Sequence, residues 1–384
     1  MEQHTGVVII GAGPAGIATS ACLNLQNIPN IVLEKEANYA SLWRDKSYDR
    51  LKLHLAKEFC HLPHMPFSPN APTFLSKKQF VQYLDTYVSH FGVNPLYHRL
   101  VESASYNEGD GKWFVTVKNM ESDAIETYIA KFVVAATSEN GEGFIPVIDG
   151  LEGFSGEVMH SSQYRNGKRF EDKCVLVVGS GNSGMEIACD LSEYHAQTSI
   201  VVRGPVHVFS KEIIQLGMNS LKFIPVNIVD KMVVALSMWK YGDLSLYGLQ
   251  RPNIGPFYTK QTTGISPIID VGTLSRIKSG EIKVFPSIKR VENDLVEFVN
   301  GKTKRFDAIV FATGFRSTVR KWLKGGDGLF NENGMPKDKR PNHWKGKNGI
   351  YCVGFASSGL VGISNDANNI TEDISDILIK RKIT

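Results

Sequence analysis

Apolar residues recur in the same arrangement at two places along the chain. Residues 7–10 form a short β-branched run that meets a cluster of glycines and then a helix of small residues over 15–25. Residues 175–178 form a second run of this kind, again followed by glycines and by a helical stretch over 184–193. Continuous apolar strands that alternate with helices indicate parallel sheets covered on both faces. The pattern predicts an α/β protein with two doubly wound, Rossmann-like dinucleotide-binding domains.

Two later segments also resemble each other and suggest how the domains are connected. Residues 132–137 and 308–314 each have the pattern of a buried strand that closes on a turn of small residues. Such a strand could end one dinucleotide domain and lead to its neighbour, so we expect the second domain to be inserted into the first. The first domain would comprise residues 1–150 and 307–384, and the second residues 151–306.

The remaining pattern completes the first domain. Residues 113–117 and 125–132 predict two antiparallel strands around a polar turn. Near the end of the chain, residues 350–353 predict a strand and residues 365–379 a helix, which would return to the first domain.

The most apolar later stretch, residues 223–239, is interrupted by Pro225, Asp230 and Lys231. It is too broken to predict a helix that spans a bilayer. An amphipathic helix on a membrane surface is one interpretation, and a helix in a core or cleft is the favoured one. No secretory signal opens the chain, so we expect a reducing, cytoplasmic location.

Composition narrows the classes of function. The chain has 384 residues, enough for two or three domains, and its net charge of +4 includes no block of like charges, which argues against nucleic-acid binding. No two cysteines form a C-x-x-C pair, so neither a redox dithiol nor a zinc site is indicated and no metal is expected. The cysteines are Cys22, Cys60, Cys174, Cys189 and Cys352.

The glycine clusters have the spacing of phosphate-binding loops. In each Gly-x-Gly-x-x-Gly run the first glycine allows a tight turn, the second admits a pyrophosphate, and the third packs helix against strand. Two copies, each between a predicted strand and helix, are much stronger evidence than one. The first copy consists of Gly11, Ala12, Gly13, Pro14, Ala15 and Gly16, and the second of Gly179, Ser180, Gly181, Asn182, Ser183 and Gly184.

The end of the second strand in each repeat distinguishes the two cofactors. Glu34 lies about 20 residues past the first glycines, where a carboxylate accepts hydrogen bonds from ribose hydroxyls and repels a 2′-phosphate. Arg203 is taken as its counterpart in the second repeat, where a guanidinium suits a phosphate. The first loop is therefore predicted to bind FAD, or NAD, and the second NADPH. Each residue alone is also compatible with a solvated strand end.

FAD together with NADPH implies that hydride passes from the nicotinamide to the flavin. A disulfide reductase would need a cysteine pair near the flavin, and the sequence has no such pair. The electrons would then go to oxygen, to a small acceptor or to a protein partner.

Residues 154–165 resemble the fingerprint of class B flavin monooxygenases, F-x-G-x-x-x-H-x-x-x-Y/F-K/D. The segment lies just ahead of the second glycine loop, as it does in that family. Arg165 departs from the pattern, because Lys or Asp is usual at that position. The matching residues are Phe154, Gly156, His160 and Tyr164.

Nearly the whole chain is similar to the plant YUCCA flavin monooxygenases. The resemblance implies NADPH- and O₂-dependent oxidative decarboxylation of indole-3-pyruvate to indole-3-acetate, the auxin, through a C4a-(hydro)peroxyflavin. The stretches that carry the likeness are residues 51–54, 62–69 and 181–186, Thr263-Gly264 with Pro267, and Gly354-Phe355 with Gly359-Leu360.

The resemblance also suggests individual roles. His54 lies where general amine-oxidising members carry an Asn beside the flavin, and it could act as a catalytic proton donor or be an ordinary packed histidine. Trp43 lies where the family contacts the flavin, with core packing as the alternative. Thr137 and Thr313 belong to two A-T-G-like turns, and the first of these has Ser138 where the family has Gly. A positive φ there would strain this serine.

Three further residues are candidates with open alternatives. Asp366, ahead of a predicted helix, could support the flavin through the helix N-terminus or be an ordinary cap. Arg251 and Lys260 could bind a substrate carboxylate or be solvated. Two other functions stay open, namely N- or S-oxygenation of soft nucleophiles and a non-catalytic dinucleotide-binding redox sensor, the latter supported only by Ser138.

Overall fold

A computed structural model describes residues 2–325, 328–356 and 359–383. The strands of these residues are β1 (Glu2–Ile10), β2 (Asn30–Leu33), β3 (Pro95–Leu96), β4 (Arg99–Asn107), β5 (Lys112–Asn119), β6 (Ile125–Ala135), β7 (Glu142–Gly143), β8 (Glu157–His160), β9 (Cys174–Val178), β10 (Gln197–Val201), β11 (Val208–Phe209), β12 (Ile268–Ile269), β13 (Lys283–Phe285), β14 (Ile288–Glu292), β15 (Leu295–Phe298), β16 (Thr303–Arg305), β17 (Ala308–Phe311), β18 (Phe315–Arg316) and β19 (Ile350–Cys352). The helices are α1 (Pro14–Leu25), α2 (Ser41–Arg44), α3 (Lys77–His90), α4 (Asn182–Glu193), α5 (Lys211–Ser220), α6 (Val226–Tyr241), α7 (Pro256–Thr263), α8 (Thr273–Ser279), α9 (Val319–Trp322) and α10 (Gly359–Ile383).

The chain divides into two compact units. The first comprises Met1–Asp45, Ala56–Glu142 and Phe315–Thr384, and the second comprises Lys46–Leu55 and Gly143–Gly314. The second unit is thus contained within the sequence of the first. Its main segment begins at residue 143 and ends at 314, whereas the sequence suggested 151 and 306. The short segment Lys46–Leu55, which the sequence assigned to the first domain, groups with the second unit.

The first unit is built on one large sheet. Its strands have the order β3-β2-β1-β6-β5-β4, with β19 paired to β6 in addition. β1 is parallel to both β2 and β6, whereas β5 is antiparallel to β6 and to β4. The second half of β1, from residue 7 to residue 10, is fully buried because helices and strands cover both faces of the sheet there.

The second unit repeats the parallel arrangement on a smaller scale. Its main sheet has the order β13-β10-β9-β17-β8, and all of its pairs are parallel. A separate antiparallel sheet, β14-β15-β16, precedes β17. Helices α5, α6 and α7 bury their own apolar cluster, which includes Ile213, Val229, Val233 and Phe257.

Three local expectations are corrected by the structure. Residues 125–132 and 132–137, predicted as two strands, form the single strand β6, because no turn residue separates them. The predicted helix over 365–379 begins six residues earlier, at Gly359, and continues to Ile383. Within residues 223–239 the helix α6 begins only at Val226, and only one of its faces is buried.

No helix of the described ranges is both long and apolar enough to cross a bilayer. No cluster of three or more His, Cys, Asp or Glu side chains suited to a metal ion occurs in those same ranges.

We predict that Gly16→Ala destabilises the first unit far more than Gly13→Ala. A Cβ at Gly16 would lie 1.9 Å from the carbonyl oxygen of Gly11, whereas a Cβ at Gly13 would meet open space. Because the backbone must shift to relieve such a clash, Gly16→Ala should lower the free energy of unfolding by about 3 kcal/mol, and Gly13→Ala should change it by less than about 1 kcal/mol. Urea unfolding of the flavin-free protein measures both. Equal losses for the two variants would contradict the prediction.

Candidate cofactor and active site

The first glycine loop closes the turn between β1 and α1 with almost no spare room. Gly11 has a φ of +105°, which favours glycine, and a Cβ there would lie 2.9 Å from the carbonyl oxygen of Ala136. Gly16 packs directly on the Gly11 carbonyl. Gly13 alone faces open space, and it is the N-cap of α1. Since a glycine cap offers no side-chain acceptor, the first-turn N–H groups of α1 can bind an anion placed there.

The second glycine loop has the same geometry between β9 and α4. Gly179 has a φ of +113°, and a Cβ there would lie 2.4 Å from the carbonyl oxygen of Ala312. A Cβ at Gly184 would lie 1.9 Å from the carbonyl oxygen of Gly179, which matches the distance in the first loop. Gly181 again faces open space and caps the helix. Both loops therefore fit a diphosphate group at a helix N-terminus.

Asn182, the first residue of α4, uses its side chain for structure. Its Oδ1 accepts a hydrogen bond from the Ile269 N–H over 2.7 Å, and its Nδ2 donates to the carbonyl of Pro267 over 3.3 Å. The side chain thus ties β12 to the second loop. Any contact from Asn182 to a phosphate would come from its backbone.

Glu34 connects the first glycine loop to the end of β2. The Ala12 N–H donates to one carboxylate oxygen over 2.7 Å, and the Glu36 N–H donates to the other over 3.0 Å. Burial raises the pKa of the Glu34 carboxyl, and the two N–H groups partly oppose that rise. Each oxygen keeps a further lone pair, which could accept a ribose hydroxyl.

Arg203 is not the structural counterpart of Glu34. The register pairs Ile10 with Leu33 and Val178 with Val201, so the residue equivalent to Glu34 is Val202. Val202 is buried, and Arg203, one position further, is exposed because neighbouring residues of an extended chain point to opposite sides. The expectation of matched positions was wrong, although the exposed guanidinium still lies just beyond the end of β10.

The turn after β6 contains a polar atom that lacks a partner. The Thr137 hydroxyl is fully buried and makes no hydrogen bond to any described residue. Buried hydroxyls are rarely left unpaired, so this one fits a cofactor atom. Ser138 has a φ of +57°, so the strain expected for a non-glycine residue is present. Its hydroxyl accepts a hydrogen bond from the Asn140 N–H over 3.1 Å, which offsets part of that strain.

The equivalent turn after β17 is fully satisfied. The Thr313 hydroxyl donates to the carbonyl of Phe144, and Gly314 has a φ of +82° without strain. Of the two turns, only the one at Thr137 leaves its threonine hydroxyl unpaired among the described residues.

Trp43 lies on the short helix α2, which is attached to the first loop. The N–H of Ala40, the N-cap of α2, donates to the carbonyl of Ala12 over 2.8 Å. The Trp43 ring packs edge-on against Phe80, with 4.5 Å between ring centroids. Core packing of Trp43 is therefore observed, and its position beside the loop keeps it a candidate for flavin contact.

The fingerprint segment, residues 154–165, anchors the turn at Gly314. His160 ends β8 and is buried; its Nε2 lies 2.9 Å from the Gly314 carbonyl and its Nδ1 lies 2.9 Å from the Ser162 hydroxyl. Burial lowers the pKa of His160. A Cβ at Gly143 would lie only 2.3 Å from Nδ1, so this neighbour must be glycine. These contacts assign a structural role to His160.

His54 contacts an acid that sequence reasoning missed. Its Nε2 lies 2.9 Å from Oε1 of Glu186, whose side chain is only 4% exposed. Glu186 lies in the first turns of α4, directly after the second glycine loop. The buried hydroxyl of Tyr48 has a raised pKa, caused first by burial and then by the charge of Glu186. The contact with Glu186 agrees with the alternative that His54 is a packed histidine. It also fixes the orientation of the imidazole ring.

Acidic residues inside an otherwise apolar helix were the signal that could have revealed this cluster. Glu186 and Asp190 are spaced four apart on α4 and are both buried. Asp190 accepts hydrogen bonds from the Tyr164 hydroxyl over 2.6 Å and from the Gly167 N–H over 2.8 Å. Carboxylates are almost never fully buried without such partners, so their positions predict tertiary contacts.

Asp366 is not a helix cap. It lies inside α10, which begins at Gly359, so the predicted position ahead of a helix was wrong. The side chain is buried, and Oδ2 accepts a hydrogen bond from the Gly354 N–H over 3.4 Å. Oδ1 lies 3.1 Å from Nε2 of buried His343. A Cβ at Gly354 would lie 3.2 Å from that of Ala15, so Asp366 supports a segment that packs on α1.

The two candidate cations for a substrate carboxylate already have partners. The Lys260 ammonium donates to the Gly264 carbonyl over 2.9 Å and to the Ser266 hydroxyl over 2.8 Å, and so closes the end of α7. Arg251 lies 3.5 Å from the hydroxyl of Ser237. Neither residue is brought to His54 by a described contact.

Two units, each with a parallel sheet and a glycine cradle at a helix N-terminus, define a protein with two dinucleotide sites. A family model described as Flavin-binding monooxygenase-like matches residues 4–320. The probable indole-3-pyruvate monooxygenase YUCCA10 of Arabidopsis thaliana is 51% identical over 99% of this chain and 100% of its own length. The indole-3-pyruvate monooxygenase YUCCA6 of Arabidopsis thaliana is 45% identical over 96% of this chain and 90% of its own length. The chain belongs to the flavin-binding monooxygenases and, within them, to the YUCCA family.

Solved structures share the fold. A flavin-containing monooxygenase from Stenotrophomonas maltophilia has a TM-score of 0.73 at 19% identity, over 98% of this chain and 99% of that one. A cyclohexanone monooxygenase from Rhodococcus sp. Phi1, solved with NADP⁺, has a TM-score of 0.73 at 16% identity, over 100% of this chain and 85% of that one. The predicted α/β architecture and the resemblance to YUCCA enzymes are confirmed.

We predict that Glu34→Gln changes the pH dependence of stability. The native pKa of Glu34 is raised above its ordinary value of 4.5, so the native state retains this proton to higher pH than the unfolded state does. That contribution to stability is complete below pH 4.5 and is lost as pH rises through the native pKa. The advantage of the wild type over Glu34→Gln should therefore shrink with rising pH in urea unfolding of the flavin-free protein. A parallel trend in an exposed control variant, Glu102→Gln, would argue against this prediction.

Proposed function

We propose that this protein catalyses the NADPH- and O₂-dependent oxidative decarboxylation of indole-3-pyruvate to indole-3-acetate, the auxin, in the cytoplasm. The observation that carries the proposal is the pair of matching glycine cradles in a chain related over nearly its whole length to proteins named as indole-3-pyruvate monooxygenases. The presence of two cradles favours an enzyme over a single-nucleotide sensor, because hydride transfer between two cofactors needs both.

FAD is assigned to the first unit and NADPH to the second. When bound, the flavin accepts hydride from the nicotinamide and delivers the electrons to O₂. The buried Glu34 carboxylate supports a ribose at the first site, and the unpaired Thr137 hydroxyl supports a cofactor atom nearby. The FAD residues are Gly11, Ala12, Gly13, Pro14, Ala15, Gly16, Glu34, Trp43 and Thr137, with Asp366 acting through the backbone of Gly354.

The second cradle binds the NADPH diphosphate, and Arg203 binds its 2′-phosphate. The guanidinium of Arg203 is exposed just past β10, where a ligand can reach it. Its fork of N–H donors has the geometry that phosphates favour. The NADPH residues are Gly179, Ser180, Gly181, Asn182, Ser183, Gly184 and Arg203, with Thr313 shaping the neighbouring turn.

His54 is assigned the transfer of a proton during catalysis. Nε2 lies 2.9 Å from the Glu186 carboxylate, so Nδ1 is the ring nitrogen left to contact the substrate. Histidine exchanges protons near neutral pH, which suits an oxo-acid substrate whose carbonyl oxygen gains charge during the reaction. The buried carboxylate fixes the ring orientation, which a proton transfer requires.

The proposal predicts a specific product. Purified protein should contain flavin, be reduced by NADPH without air, and on addition of O₂ convert indole-3-pyruvate into indole-3-acetate and CO₂ in proportion to the NADPH consumed. Mass spectrometry of the product and the flavin absorbance measure these steps. His54→Asn should retain flavin and reduction by NADPH but lower product formation about a hundredfold, because a positioned acid or base contributes roughly that factor.

Two results would overturn the assignment. Oxygenation of methimazole or trimethylamine, with no product from any oxo acid, would point to N- or S-oxygenation. Absence of bound flavin, together with no affinity for added FAD, would exclude an enzyme of this class. If His54→Asn kept the full product yield, only the role of His54 would fall.

We predict that Arg203→Ser removes the preference for NADPH over NADH. Loss of a charge-assisted contact to the 2′-phosphate should raise the KM for NADPH about tenfold or more and leave the KM for NADH within about twofold. Anaerobic flavin reduction at varied coenzyme concentration gives both values. Arg290→Ser, which changes an exposed arginine on β14, is the matched control and should alter neither. An unchanged preference in Arg203→Ser would show that another residue reads the phosphate.

A further inference from the structure

Helix α6 exposes a row of large apolar side chains. Ile228, Met238 and Trp239 lie on its outer face, and Trp239 is 87% exposed. The turn before the helix adds Phe223, which is 88% exposed, and Ile224. We call these five side chains the α6 ridge. A contiguous exposed apolar patch of this kind marks an interaction site, so we expect the α6 ridge to bind a partner.

The ridge is one face of a helix whose opposite face holds it in the second unit. Residues 228, 231, 235, 238 and 239 are exposed and fall within an arc of about 100° on a helix with 3.6 residues per turn. On the other side, Val229 and Val233 are completely buried, and the Ser237 hydroxyl donates to the Val208 carbonyl over 2.7 Å. The buried face thus holds the backbone of α6 in place, and the exposed side chains project from a fixed helix.

Exposed apolar side chains are concentrated around this helix. Of the 20 large apolar residues that are exposed in the described chain, ten lie between residues 216 and 265. This clustering is far beyond scattered single exposure, which is normal for any protein. The ten are Leu216, Phe223, Ile224, Ile228, Met238, Trp239, Leu246, Ile254, Tyr258 and Ile265.

The same stretch carries an excess of positive charge. Residues 205–265 contain six Lys or Arg and three Asp or Glu, in a protein whose net charge is +4. One of the three acids, Asp230, is buried, where it accepts hydrogen bonds from the N–H groups that begin α7. Because Asp230 is buried, the exposed surface of this stretch is more positive than its count of charged residues suggests. Exposed Lys222 and Lys231 directly flank the apolar row.

We propose that the α6 ridge binds the surface of an anionic phospholipid bilayer. Apolar side chains would insert among the acyl chains just below the headgroups, with α6 parallel to the membrane plane. Lys222 and Lys231 would extend their aliphatic stems along that layer and place their ammonium groups on lipid phosphates. Lysine mixed into an apolar face fits this occupant better than a protein, because the cores of protein interfaces are depleted in lysine.

Vesicle flotation tests the proposal with the flavin-loaded protein. The wild type should float with vesicles of phosphatidylcholine mixed with phosphatidylserine, bind those of phosphatidylcholine alone about tenfold more weakly, and lose binding as salt rises. A wild type that stays in solution with both kinds of vesicle overturns the proposal. Equal binding to both kinds at all salt concentrations overturns the role of the lysines.

Two variants separate the contributions. Phe223→Ser with Trp239→Ser should weaken binding about tenfold or more, since each ring loses its burial in lipid. Lys222→Glu with Lys231→Glu should remove the preference for anionic vesicles. Val147→Ser with Ile145→Ser removes exposed apolar residues elsewhere on the same unit and should leave binding unchanged.

Flavin content and thermal unfolding report whether each variant is folded, and the exposed positions of the changes predict that all are. Light scattering tests the other occupant, a second copy of this chain. A wild-type dimer that Phe223→Ser with Trp239→Ser converts to a monomer would reassign the α6 ridge to self-association and overturn the proposal. A monomer in both forms, with vesicle binding lost only in the ridge and lysine variants, supports it.

Discussion

The close approach of a helix to the strand before it is the constraint on which each unit depends. In the first unit, Gly16 packs against the carbonyl of Gly11 so closely that no Cβ would fit, and the second unit repeats the contact at the same distance. This approach fixes where the helix begins and therefore where its unpaired N–H groups lie. Other contacts of the first unit serve the same loop, because Glu34 holds the Ala12 N–H and Gly354 brings the C-terminal segment onto α1.

The two cradles share their backbone geometry and differ in their charges. The first is closed by a buried carboxylate, Glu34, whose desolvation is offset only in part by two backbone N–H groups. At the equivalent position the second has the apolar Val202, and an exposed Arg203 follows. A buried acid disfavours a second negative charge beside the ribose, whereas an exposed guanidinium attracts one. The same fold can therefore hold two different dinucleotides without any change in the path of the main chain.

The elements that depend on local pattern were predictable, and those that depend on tertiary pairing were not. β-branched runs, glycine spacing and small-residue helices are local, so the cradles and their flanking strands followed from the sequence. The placement of Lys46–Leu55 in the second unit depends on long-range contacts, among them the pair between His54 and Glu186, which lie 132 residues apart. The one-residue offset of Arg203 depends on where β10 stops, and spacing alone does not determine a strand end. Asp366 was misplaced because Gly362, Ser364 and Asn365 have low helix propensity and obscure the first turns of α10.

The pair between His54 and Glu186 connects the proposed proton transfer to the second cradle. Glu186 lies one turn from the N-terminus of α4, where the helix dipole stabilises a negative charge. A dinucleotide diphosphate at that terminus would add negative charge close to the carboxylate and compete for the same field. Glu186 belongs to the helix that forms the cradle, and His54 belongs to the segment bound to that helix. An anion in the cradle therefore acts on the pair through its charge alone, without any movement of the main chain.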